Sequence, residues 1–177
     1  GLISAPLRDR FVVREHLDYY SVPELAKIIF RSAGKLDMPM DAETATEIAG
    51  RSRGTPRLAN NRLRWIRDYS TSRANRVVDL EIARTALEMQ GIDELGLDGF
   101  DRRYLETLQR VFGGGPAGIE AIAHTMSIAV DTLEDDVEPF LLRYELIIRT
   151  PRGRRLTERG EAHLGHAPRS GPQHKLF

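Results

Sequence analysis

Residues 146–157, "LIIRTPRGRRLT", decide how the second half of the chain is read. An apolar run (146–150) meets "PRG" (151–153), and "RRLT" (154–157) follows. Run, turn and run predict a β-hairpin, with strands at 146–150 and 154–157. Helical patterns surround it. One covers 100–112 and stops at "FGGGPAG", where glycines and a proline forbid continuation. A short one covers 118–126. A third opens at Asp131, paired with Glu134 as an N-cap signal, and runs through Tyr144, with Pro139 predicting a kink or break. A last helix starts near Glu158. Three helices followed by a β-hairpin is the winged-helix plan, a helix-turn-helix variant.

Upstream the period is helical throughout. Ser21 and Glu24 form a capping box, with Pro23 tolerated in the first turn. Val22, Leu25, Ile28 and Ile29 give that helix its apolar stripe, and Gly34 marks its end. Asp41 caps a second helix with Ala42, Ala45, Ile48 and Ala49 on one face, stopped by Gly54. Thr55-Pro56 restarts helix at once, as N-cap and first helical residue, and this third helix reaches about Arg73. Its packing candidates are Leu58, Leu63, Trp65, Ile66 and Tyr69. Asp79 caps a fourth, ended by Gly91. Residues 21–91 therefore form a four-helix unit. "FVVREHLDYY" (11–20) alternates loosely and predicts a short strand before it. "DELGLDGFD" (93–101) is acidic, has no basic residue and reads as a linker between units.

The composition is that of a folded chain of one or two domains: 177 residues, 41% hydrophobic, formal net charge zero. No apolar run approaches the ~20 residues of a membrane span. No signal-peptide pattern is present, so a cytoplasmic location and no membrane association are expected. Cysteine is absent, which excludes disulfides and thiolate metal sites, and the five histidines show no metal-ligand spacing. No metal site is expected. Neutral charge argues against nucleic-acid binding over the whole surface, so local asymmetry matters more. Only three of the 26 basic residues are lysine. Arginine forks suit phosphate, although a GC-rich genome gives the same bias. The chain does not begin with Met, and "GLISAPLRDRF" reads as the middle of a longer protein.

No catalytic constellation is complete: GxxxxGK(S/T), HExxH and GxSxG are all missing. "GGGPAG" lacks the Lys-Ser/Thr of a phosphate loop and reads as a turn. The hairpin is the clearest nucleic-acid candidate. Arg149, Arg152, Arg154 and Arg155 surround one turn, close enough to meet successive phosphates, which position a protein without reading sequence. The preceding helix carries Asp131, Glu134, Asp135, Asp136 and Glu138, which would repel phosphates in a groove. Contact through the wing and weak sequence specificity follow.

"RSRGTPRLANNRLRWIRD" (51–68) holds six arginines in eighteen residues. Arg57 stands at a helix N-terminus, where free N–H groups and the helix dipole favour an anion, so a nucleotide phosphate is a physical reading. Arg62, Arg64 and Arg67 read as a solvated or inter-subunit face. In "SAPLRDRF", Arg10 is either paired to Asp9 or offered to a neighbouring subunit's nucleotide.

Taken together and in order, "SAPLRDRF", "RSRGTPRLANNRLRWIRD", "FGGGPAG", "EPFLLR" and "RTPRGR" resemble the bacterial RuvB family, the AAA+ motor of Holliday-junction branch migration. The resemblance covers about residues 1–166. It implies a mainly α chain: the end of a large ATPase domain (1–20), a helical AAA+ lid (21–91) and a winged-helix DNA-binding head with a two-stranded β-wing (94–166). A disordered tail (167–177) is expected from composition. By matching motif, Arg10 resembles a trans-acting arginine finger and Arg57 a sensor-2 arginine. Tyr20 and Pro56 would lie beside adenine, and Arg149 and Arg154 resemble the wing's DNA-contacting pair. ATP or ADP is the implied ligand, with Mg2+ held in an upstream ATPase domain. The implied partners are RuvA, RuvC, Holliday-junction or duplex DNA, and copies of the chain in a homo-hexamer. The family's Walker A, Walker B and sensor-1 segments lie upstream of Gly1, so the chain alone is expected not to hydrolyse ATP. Asn61 and Trp65 in "LANNRLRW" depart from the family's basic or aliphatic residues. A non-enzymatic winged-helix regulator is the alternative reading, and a clamp-loader lid is a third.

Overall fold

The structure is a computed structural model, and it describes residues 5–8, 10–13, 15, 17–73 and 78–165. Asp9, His16, His166, His174 and the tail from Ala167 lie outside the described residues. A short turn of helix, α1 (Ala5–Arg8), leads into residues 10–20, where no strand forms among the described residues. The expected strand at 11–20 is thus corrected. A strand needs a neighbour for its backbone groups, and here Val12 is fully exposed and Leu17 nearly so.

The first unit packs α2 (Val22–Lys35), α3 (Ala42–Gly50), α4 (Pro56–Arg73) and α5 (Leu80–Met89) around one core. The helix starts follow the expected chemistry. Ser21 N–H and Oγ–H both donate to Glu24 Oε2. Asp41 Oδ1 accepts from Thr44 N, and Asp79 Oδ1 from Ile82 N. Each carboxylate takes up an N–H that the first turn leaves without a helical partner. Leu25, Ile29, Ile48, Leu63, Ile66 and Leu87 are fully buried. Trp65 packs against this core and donates its indole N–H to Ala86 O at 2.7 Å. The α3 helix ends at Gly50 rather than at Gly54, because residues 51–54 form a separate turn with Arg53 and Gly54 at φ 56° and 68°. Ala42 is exposed and leaves the apolar face to Ala45, Ile48 and Ala49.

The second unit is built from α6 (Gly99–Arg110), α7 (Ile119–Met126), α8 (Val130–Thr132), a π-helical turn (Leu133–Val137), α9 (Glu138–Arg143), β1 (Ile147–Thr150), β2 (Gly153–Leu156) and α10 (Glu158–His163). From α8 to α9 the chain stays helical. The π turn sits just before Pro139, which lacks the N–H a regular helix would bond there. So Pro139 produces a change of helical pitch rather than a break. Asp131 lies inside the first turn and does not cap it, since Ala129 holds the N-cap position.

The hairpin register pairs Ile147 with Leu156, Ile148 with Arg155, Arg149 with Arg154 and Thr150 with Gly153. Ala117, from the "GGGPAG" turn, adds a rung: its N–H donates to Arg154 O at 2.9 Å, and Arg154 N–H returns to Ala117 O at 2.7 Å. The glycine-rich turn is therefore the hairpin's third strand contact and not only a helix stop. Gly153 has φ +126°, and a Cβ there would run into the Ala117 carbonyl. Gly153→Ala is expected to lower the unfolding free energy by about 3 kcal/mol through backbone strain and that clash. Urea denaturation checks it, and an unchanged midpoint would contradict the close approach.

Candidate functional site

The nucleotide candidates gather at one end of the first unit. Gly54 O accepts Tyr20 N–H at 3.0 Å. A Cβ on Gly54 would lie 2.8 Å from Tyr19 Cβ and 2.9 Å from Tyr20 O, so glycine is what lets the Tyr19-Tyr20 backbone lie on this turn. Pro56 follows as the first residue of α4, and Arg57 stands exposed in its first turn. Arg57 takes no ion pair among the described residues. Tyr20 is half exposed. An exposed arginine in the first turn of an eighteen-residue helix, at its positive end, can offer its guanidinium to an anion such as a phosphate. Arg10 is also exposed, its N–H donating to Leu7 O at 3.2 Å.

Sequence reasoning missed what the neighbouring arginines do. Arg51 and Arg62 are 4% and 5% exposed. Arg51 donates to Glu47 Oε1 and to Ile92 O, and Arg62 donates to Gly96 O at 3.3 Å. The reading of Arg62 as a solvated or inter-subunit face is corrected: it lies under the segment that joins the two units. Burial first, then Arg53, lowers the Arg62 pKa to about 10. Arg53 is the centre of this joint. Its Nε donates to Gly96 O at 2.8 Å, its Nη2 reaches Asp98 at 3.2 Å and also Asp101, and its guanidinium stacks 4.4 Å from the Phe140 ring. Arg143 returns from α9 to donate to Arg53 O at 2.7 Å while lying 3.8 Å over Tyr19. Asp101 also accepts Asp98 N–H, as part of the α6 capping box. The acidic stretch 93–101 is thus bound tightly rather than a loose linker. The signal was present in sequence as charge complementarity: basic residues crowd 51–62 and acids crowd 93–101.

The wing has a comparable centre. Along a strand, alternate residues share a face. Arg149 and Arg154 therefore fall on the side of Ile147 and Leu156, which face the core, while Arg155 and Ile148 point the other way. Glu138 of α9 waits beneath, fully buried. Its Oε2 accepts from Arg149 Nε at 3.0 Å and Nη2 at 2.5 Å. Its Oε1 accepts from Arg154 Nε at 2.8 Å and Tyr104 Oη at 2.7 Å. Arg154 Nη2 also bonds Glu134 at 2.7 Å. Two arginines directly opposite on paired strands would repel, and Glu138 between them removes that penalty. Burial alone would push the Glu138 carboxyl up, but bonds from Arg154, Tyr104 and Arg149 outweigh it and hold it below the ordinary range. Arg152 is exposed on the turn, and Arg155 on the outer strand face. The acidic helix is accordingly not a uniform like-charge face. Glu134 and Glu138 turn to the wing arginines, and Asp135 and Asp136 line a cleft of about 180 Å³ shared with Thr55 and Arg57.

The RuvB AAA lid domain matches residues 20–93, and the RuvB C-terminal winged helix domain matches residues 94–165. The chain belongs to the RuvB family. It is 57% identical over 164 residues to a Holliday junction branch migration complex subunit RuvB of Rhodopirellula baltica, covering 93% of this chain and 45% of that one. The RuvB of a Parafrankia species is 50% identical over 170 residues, covering 96% of this chain and 48% of that one. Among solved structures, the Thermotoga maritima RuvB Holliday junction branch migration motor superposes with a TM-score of 0.88 at 40% identity, covering 93% of this chain and 55% of that chain. The chain thus spans about half the length of these relatives and corresponds to the C-terminal part of RuvB. Its mainly α fold is a RuvB lid followed by the RuvB winged helix. Trp65 packs against the lid core, with its indole N–H satisfied by α5, whereas Asn61 is exposed.

Proposed function

We propose that this RuvB chain supplies the lid and DNA-binding head of an ATP-driven hexameric translocase that drives Holliday-junction branch migration in recombination and repair. The observation that carries the reading is the combination, in one chain, of an exposed Arg57 in the first turn of the lid's α4, with no ion pair among the described residues, and an arginine-bearing wing on the head. The relatives it resembles are named for branch migration. In this reading Arg57 contacts nucleotide phosphate as the sensor-2 residue, and Tyr20 and Pro56 border the adenine. Arg10, exposed and ahead of the lid, reaches a neighbouring subunit's nucleotide as the arginine finger. ATP hydrolysis supplies the free energy, and Mg2+ belongs to the upstream ATPase domain. The lid and head alone are inactive as an ATPase. The domains fall at 1–20, 21–91 and 94–166. Arg149, Arg152, Arg154 and Arg155 meet the DNA backbone. RuvA and RuvC are the partner proteins, and the setting is the cytoplasm.

The head's chemistry separates this reading from that of a sequence-reading regulator. Phosphate contacts release counterions, so binding to random-sequence duplex DNA should fall steeply with salt, by about 0.9 in log–log slope per contact. Arg149→Ala or Arg154→Ala should weaken binding about equally on all sequences. Titrations on random and fixed duplexes test this. Strong preference for one operator, or a loss confined to one base position, would favour the regulator.

A further inference from the structure

The wing arginines are not free side chains waiting for DNA: one buried carboxylate holds both. Glu138 is fully buried, yet both of its oxygens are used. Oε2 takes the Nε and Nη2 of Arg149, while Oε1 takes the Nε of Arg154 and the hydroxyl of Tyr104. Arg154 Nη2 is shared between Glu134 and Glu138. In each guanidinium the Nε–Nη2 edge therefore faces the carboxylates, and Nη1 is left over. The Arg149 side chain is 49% exposed and that of Arg154 15% exposed.

We propose that Glu138 is a positioning residue for DNA: from within the head it fixes the two wing guanidiniums side by side, with their Nη1 ends toward one phosphate backbone. The proposal rests on the DNA reading of the wing and adds the group that acts through it. Three physical points support it. A carboxylate bridging two cross-strand arginines removes their mutual repulsion, which would otherwise splay them. Long side chains already held in place lose less rotamer freedom on binding. The planar fork of arginine leaves a defined remaining donor, unlike a lysine ammonium. Tyr104, rooted in the core of α6, fixes the carboxylate in turn. Arg152 and Arg155 have no such hold among the described residues and lie outside this unit.

The test is a mutant cycle on the full chain, read by titration of random-sequence duplex DNA over a range of salt. Glu138→Gln is expected to weaken binding about tenfold, since two arginines must now be ordered on binding. The salt slope should stay unchanged, because the same cations still meet phosphate. In the Arg149→Ala/Arg154→Ala background the same substitution should change affinity less than about twofold, because its partners are gone. A merely structural role would weaken binding in both backgrounds, and that outcome overturns the proposal. Tighter binding with a steeper slope also overturns it, since Glu138 would then compete with phosphate for the arginines. Tyr104→Phe keeps the ring and all charges. It provides the same cycle should Glu138→Gln unfold: a smaller loss is expected, present only with both arginines, and loss without them contradicts the proposal. If the Arg149→Ala/Arg154→Ala chain binds DNA like the parent with the same slope, the DNA reading of the wing fails, and this inference with it.

Discussion

Replacing Arg53 with alanine is expected to lower the unfolding free energy of the chain by about 3–5 kcal/mol, the cost of leaving a buried carboxylate without its partner. Asp101 is 1% exposed and bonds Arg53 directly, and the Arg53 side chain is itself 11% exposed. The substitution also strips Gly96 O and Asp98 of a donor and removes the stacking on Phe140. For a chain of this size that loss corresponds to a fall in Tm of roughly 10 °C. Arg53→Ala/Asp101→Asn should recover much of the loss, since the buried charge is then gone as well. A loss below about 1 kcal/mol, or a double variant as weak as the single one, would contradict the clamp. Titration gives an independent check. Burial raises the Asp101 carboxyl from 3.8 to about 6 against the opposing pull of Arg53. Between those values the folded chain holds a proton that the unfolded chain has released. This group's contribution to stability is therefore full below the unfolded value and is lost as the pH rises through the folded one. Without Arg53 the folded value should move higher still, and the window of falling stability should widen upward. Carboxyl-carbon NMR on Asp101 reads both.

In the proposed sensor-2 role, replacing Arg57 with alanine should leave the fold intact and sharply lower ATP turnover. Arg57 is exposed and takes no ion pair among the described residues, so no buried charge is stranded. In the chain joined to a RuvB ATPase domain, DNA-stimulated ATP hydrolysis should fall at least about a hundredfold on the proposed role, the scale on which a preorganised donor on developing phosphate charge acts. Arg10→Ala should cost about a thousandfold, as expected of an arginine finger. Mixing separates the two roles. Subunits that donate a normal Arg10 should rescue the Arg10→Ala protein, because a finger acts across the subunit boundary. They should not restore nucleotide contact in a subunit that lacks its own Arg57. Parent-like turnover in both variants would remove both assignments.

The clamp and the nucleotide candidate belong to one short turn, and that adjacency bears on how the chain works. Arg53 and Arg57 flank Gly54-Thr55-Pro56, and the turn is fastened on one side to Tyr20 and on the other to α6 and α9. The α9 helix also carries Glu138, the seat of the wing arginines. The head is therefore joined to the lid at the same turn that presents Arg57, through packed side chains rather than through a free linker.

Much of this was legible in the chain. The capping residues Ser21, Asp41 and Asp79 opened their helices where local chemistry placed them. The hairpin at 147–156 followed from a change of period around Pro-Arg-Gly. Other readings failed for definite reasons. The alternation at 11–20 suggested a strand, but periodicity supplies no pairing partner. Asp131 looked like a cap, yet helix begins one residue earlier, at Val130. Arg62 read as surface because its fate depends on Gly96, far along the chain.

By itself the sequence determined where helices start and stop, where the wing turns and that two units exist, since capping, periodicity and turn chemistry act over a few residues. Tertiary structure alone decided which arginines are spent. Arg53 lies 48 positions from Asp101, and Arg154 lies 16 from Glu138. Whether such charges meet in a buried pair or stay in water depends on how the two units and the wing pack, and no local pattern encodes that. Six arginines in one run thus have separate surroundings: Arg51 is buried within the first unit, Arg53 and Arg62 bond the segment that joins the units, Arg67 pairs with Asp68, and Arg57 and Arg64 are exposed. The energy of a charge is set by burial and by its partner, and both exist only once the chain has folded.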